Sequence, residues 1–106
     1  MADIIVGAGI REIVSRYAGV LEKRYALKGV YLFGSRARGN TDEDSDIDVA
    51  VVADDFSGDP VDDRVALMRL RRGIDLRIEP LPLLARDFGP AHPLAKEVME
   101  TGIRIR

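Results

Sequence analysis

The chain has 106 residues, a length suited to a single domain over 1–106 built on one core. Apolar residues make up 46% and charged residues 32%, which excludes the low-hydrophobicity composition of a disordered chain. A net charge of −2, no cysteine and no apolar run approaching roughly 20 residues argue against stable nucleic-acid binding, against disulfides or thiolate metal ligands, and against a membrane span.

In chain order, Ile10, Ile13, Val14, Tyr17 and Leu21 recur at intervals of three and four, which predicts an amphipathic helix from near Gly9 to near Tyr25. Asp3 to Val6 carries no clear pattern. Val30 to Phe33 is a β-branched and aromatic run between Gly29 and Gly34 and reads as a buried strand. Asp46 to Val52 begins with alternation and ends in continuous hydrophobicity, so a second strand is expected, polar only at its start. Pro60 opens a second helix, with Val61, Val65, Met68 and Leu70 expected to face inward, Asp62 and Asp63 in the first turn, and Arg69, Arg71 and Arg72 forming a solvated end.

Gly73 is expected to cap that helix. Ile74 to Glu79 alternates up to Pro80, which predicts a third strand with Asp75 on its polar face. The prolines between Leu81 and Pro93 predict a loop with at most one helical turn, and Pro93 to Thr101 a third helix. His92 reads as a loop or helix-start residue, and Tyr31 as part of the core. Ile103 to Arg106 alternates as a short edge strand blunted by its arginines. Met1-Ala2-Asp3 lacks the basic start of a secretory signal, so a cytoplasmic location is the expectation.

The chemistry concentrates between Gly34 and Asp48. Residues at i and i+2 of a strand share a face, so Asp46 and Asp48 should stand side by side. At about 4 Å two such carboxylates repel by roughly 4 kcal/mol at an effective dielectric of 20, a cost that a divalent cation reverses. Adding Asp75 gives three carboxylates able to hold one or two magnesium ions, an arrangement suited to phosphoryl transfer. Upstream, Gly34-Ser35 forms a tight turn after a buried strand, where exposed amides and the Ser35 hydroxyl can meet phosphate oxygens. Arg38, with Arg36 as a second candidate, offers a guanidinium that matches phosphate geometry. The acidic run Asp42, Glu43 and Asp44 reads as a solvated turn.

Gly34-Ser35-Arg36-Ala37-Arg38-Gly39, followed by Ser45-Asp46-Ile47-Asp48, resembles the G-S-x-A-R-G and S-D-x-D signature of the DNA polymerase beta-like nucleotidyltransferases, and the small size resembles their minimal members. The resemblance implies an α+β fold, a mixed β-sheet flanked by helices. It also implies magnesium ligation by Asp46, Asp48 and Asp75, and nucleotide binding by Gly34, Ser35, Arg38 and Ser45, with Asp75 as candidate general base. The activity implied is transfer of a nucleoside monophosphate, AMP from ATP, to a protein hydroxyl. The implied acceptor is an all-helical HEPN-type toxin, for which the chain would serve as antitoxin. Two alternatives stand beside it: a binding-only antitoxin that occludes its partner, and transfer to a small-molecule hydroxyl.

Overall fold

The computed structural model describes residues 8–34, 36–37 and 46–106. Their order is α1 (Ala8–Glu22), β1 (Leu27–Phe33), β2 (Ile47–Ala53), α2 (Pro60–Leu70), β3 (Ile78–Leu84), a 3-10 turn at Ala85–Asp87, α3 (Pro93–Thr101) and β4 (Ile103–Arg104). The strands form one mixed sheet in the order β3-β2-β1-β4. β1 runs antiparallel to β2 and to β4, while β2 and β3 are parallel and joined through α2, as a parallel pair requires a crossover. This is the mixed sheet flanked by helices that the motif resemblance implies. No helix among the described residues is long and apolar enough to cross a membrane.

Strand alternation divides the core into two layers. Val30, Leu32, Ile47, Val49, Val51 and Ile78 pack on one face against Val14, Tyr17, Ala18 and Leu21 of α1 and Leu67 of α2. Phe33, Ala50, Val52 and Leu83 pack on the other against Ala95 and Val98 of α3. A bond from the Tyr17 hydroxyl to the Leu67 carbonyl, 2.7 Å, ties α1 to α2, and burial pushes the Tyr17 phenol far above its ordinary range. Tyr31 is only half-buried, stacked with Phe88 at 5.3 Å between ring centres and capped by the Arg104 guanidinium at 5.7 Å.

Two local expectations are corrected. Val61 and Val65 do not face inward: they are 70% and 41% exposed, and Asp63 and Leu67 are the buried residues of α2. The helix is turned by its start, where Asp59 caps Val61 N at 3.0 Å and Asp62 N at 3.2 Å. Asp63 meanwhile braces the preceding loop, accepting from Ser57 N, Ser57 Oγ and Gly58 N at 3.0, 2.9 and 3.2 Å. Asp63 therefore takes an inward position that apolarity alone would give to a valine. At the other end the helix stops at Leu70, with Arg71 rather than Gly73 as the cap.

The third strand is also displaced. It runs from Ile78 to Leu84, straight through Pro80 and Pro82, whereas residues 71–77 form turns and Leu81 to Leu84 belong to the sheet rather than to a loop. β3 is an edge strand. The Ile47 amide donates to the Arg77 carbonyl at 2.9 Å, so residues 77, 79, 81 and 83 turn their backbone groups toward β2. Pro80 and Pro82 then occupy the alternate positions, whose missing N–H would face away from the sheet, and cost no ladder bond.

Candidate active site

β1 ends at Phe33 and passes into Gly34, whose φ of +73° lies in the left-handed region. A Cβ there would lie 3.2 Å from Asp48 Cγ and drive into Asp48 Oδ2. Glycine is thus required twice, by its own backbone and by the carboxylate lying over it. The register explains the approach, since Phe33 pairs with Asp48 across β1 and β2 and places the Asp48 side chain at the mouth of the turn. Asp46, one step before β2, is exposed, and Asp48 is half-buried. The Gly34 turn and Asp48 therefore meet, while Asp46 stands one residue before the strand. Ser35, Arg38 and Ser45, along with Asp42 to Asp44, lie outside the described residues.

Asp75 lies in the turn before β3 rather than on its polar face. Its carboxylate accepts from Arg77: N at 2.8 Å, Nε at 3.0 Å and Nη2 at 2.8 Å. These bonds hold its pKa below the ordinary 3.8, against an opposing effect of partial burial, and the charge of Arg36 adds to the lowering. Arg36 itself is buried at 4% exposure, so the second-choice arginine of the motif is embedded beside Asp75 rather than solvated.

The residue that the ladder sets beside Asp48 is Glu79, its direct partner in the parallel β2–β3 register. Residues so paired share a face. Glu79 is engaged from α2 by two arginines, Arg64 Nη2 to Oε1 at 3.0 Å and Arg71 Nη1 to Oε2 at 3.1 Å. Arg71 Nη1 also donates to the outward Ile78 carbonyl at 2.7 Å, so it is no solvated helix end. With Asp75 and Glu79 both held by arginines, no group of three acidic, histidine or cysteine side chains converges in metal-ligating geometry among the described residues. The oxygen-only donors Asp46, Asp48 and Glu79 nonetheless fit the chemistry of a hard cation.

Glu79 escapes a reading that ends the strand at Pro80. Its signal is a pattern shared with β2, a polar residue followed at alternate positions by apolar ones: Asp48, Ala50 and Val52 in one strand, Glu79, Leu81 and Leu83 in the other. His92 is the N-cap of α3, its Nδ1 accepting from Ala95 N at 3.3 Å, in line with a helix-start role.

A sequence profile described as a nucleotidyltransferase domain matches residues 14–97, most of the chain. The chain belongs to the nucleotidyltransferase family. This nucleotidyltransferase domain is 44% identical over 46 residues to a candidate protein adenylyltransferase of Methanocaldococcus jannaschii, covering 43% of the chain and 46% of that relative. The match thus spans about half the length of the curated relative. Among solved structures, a toxin–antitoxin crystal structure with AMP-PNP superposes with a TM-score of 0.66 at 26% identity, covering 87% of this chain and 72% of that one. A structure described as a minimal nucleotidyltransferase gives a TM-score of 0.55 at 28% identity, covering 89% and 93%.

Proposed function

We propose that this chain transfers AMP from ATP, with magnesium, to a hydroxyl of a protein acceptor, and that the acceptor is an all-helical HEPN-type toxin for which the chain is the antitoxin. The observation that carries the reading is the packing of the Asp48 carboxylate over the Gly34 turn, within a chain whose family profile covers both. Similarity to a toxin–antitoxin structure with AMP-PNP and to a candidate protein adenylyltransferase supports the choice of nucleotide, acceptor class and partner.

In this reading the amides after Gly34, with Ser35, Arg38 and Ser45, hold the triphosphate. Asp46 and Asp48 would hold magnesium, which supplies charge neutralisation on the phosphoryl oxygens and activation of the attacking oxygen. The acceptor oxygen bonds to the α-phosphorus, the bond from that phosphorus to the bridging oxygen breaks, and pyrophosphate leaves. The hydroxyl proton passes to a third carboxylate. Two candidates exist for it, Asp75 and Glu79. The register beside Asp48 favours Glu79, which becomes available when its arginines yield; Asp75 remains tied to Arg77 within its own turn.

The test incubates the chain with α-labelled ATP, magnesium and an all-helical HEPN-type toxin, comparing native protein with Asp46→Asn and Asp48→Asn. Label on the acceptor from native protein only is the expected result. Absence of transfer with every nucleotide would leave the binding-only reading, which the arginine-held state of Glu79 and Asp75 favours; complex formation would then survive both substitutions. Label on a small hydroxyl compound instead of the protein would move the acceptor class.

A further inference from the structure

The outward face of α2 carries an apolar seam without a partner among the described residues. Val61, Val65 and Met68 recur at four and three residues on the side opposite buried Asp63 and Leu67, and exposed Leu76 extends the apolar surface past the helix end. Val61 and Leu76 are 70% and 65% exposed, high values for residues of this size. Beside the seam runs a groove of about 530 Å³ whose far wall is Leu81, Pro82 and Leu94. Pro82, which has no N–H to offer at this edge, bars strand addition along the groove, so whatever covers it docks through side chains.

The charges flanking the seam select the occupant. On one flank stand Asp62 and Arg69, seven residues apart and therefore on one line of the helix, acid near its start and base near its end. On the other flank Arg64 and Arg71 are already turned to Glu79. When two such helices pack antiparallel about a two-fold axis, the same flank of each meets the other with its ends reversed. Asp62 of one copy then faces Arg69 of the other, twice, while Val65 sits near the axis. A parallel or head-to-tail arrangement gains neither pairing.

We infer that the exposed face of α2 binds the same face of a second copy of this chain, forming a two-fold antiparallel dimer with Val61, Val65 and Met68 as its seam and reciprocal Asp62–Arg69 pairs as its register. The contact is isologous, as two-fold symmetry demands.

Sedimentation equilibrium of the purified chain across a concentration series tests this directly. The native chain is expected to populate a dimer. Val65→Glu, at a position exposed within one copy, should weaken dimerisation by about 100-fold with an unchanged thermal melt, because it buries a charge at the axis. Asp62→Arg and Arg69→Asp should each weaken it by about tenfold, and the double substitution should restore it, since the swap rebuilds both pairs with reversed sign. A chain monomeric at every concentration overturns the inference, as does a dimer indifferent to Val65→Glu or a double swap that adds the losses. A monomeric chain that binds an all-helical HEPN-type toxin and loses that binding in the Val65→Glu form also overturns it and gives the seam to such a partner. None of these readings depends on nucleotide transfer, so failure here is separable from failure of the proposed activity.

Discussion

One face of the sheet is built in two halves. At the far half, Ala50, Val52 and Leu83 are roofed by Ala95 and Val98 of α3 and exclude water. At the near half the same strands, on the same face, present Asp48 and Glu79 beside the Gly34 turn, with Arg64 and Arg71 reaching Glu79 from the α2 side. The alternation is the same in both halves, and the side chains at its positions differ: it yields a packed core in one and a carboxylate mouth in the other. The two halves should accordingly fail in different ways when altered.

The largest expected effect lies in the mouth. Asp48→Asn should take label transfer to the detection limit, and Asp46→Asn should do the same while leaving thermal stability within about 0.5 kcal/mol, because Asp46 is exposed. Gly34→Ala combines both kinds of failure: the left-handed backbone costs about 1–2 kcal/mol, and the added methyl displaces the Asp48 carboxylate, so both the melt and the transfer rate should fall. Under the roof, Leu83→Ala should cost about 2–5 kcal/mol in denaturant unfolding and leave transfer by the folded fraction near native. A loss of transfer there larger than the loss of folded protein would break the division between halves.

Smaller effects test the frame that carries both halves. Tyr17→Phe removes the donor to the buried Leu67 carbonyl and should cost about 1–3 kcal/mol, read as a lower melting midpoint with unchanged transfer. The smallest effect is acid sensitivity at Asp75. Its folded pKa is depressed by Arg77, so its contribution is fully present above the ordinary 3.8 and is lost as pH falls through the lower folded value. Acid unfolding followed by circular dichroism should show Asp75→Asn less stable than native above that window and converging with it below.

Much of this was legible from local pattern. The Gly34 turn needed only a buried strand followed by glycine, and β2 needed only the apolar run that follows Asp48. α3 announced itself through Pro93 at its first position and an apolar stripe. What escaped depended on partners distant in sequence. Val61 and Val65 have the spacing of an inward face, but Asp63 is drawn in by the Ser57–Gly58 loop, and the helix rotates with it. Glu79 falls at the last place of the expected strand, just before two prolines that normally end one; only an edge position lets the ladder continue through them and sets Glu79 near the start of β3 beside Asp48. Alternation from Ile74 onward gave Asp75 a place on a strand, yet Asp75 accepts from Arg77 two residues on, and this local turn replaces the extended backbone.

The central claim is that the third carboxylate of the transfer site stands on β3 beside Asp48. Its most direct test is label transfer from α-labelled ATP by Glu79→Gln and Asp75→Asn measured side by side with native protein. Glu79→Gln is expected to lose about 10²- to 10⁴-fold in rate and Asp75→Asn to stay within a few-fold of native. Full activity in Glu79→Gln with loss in Asp75→Asn would contradict the account and return the site to the turn before the strand.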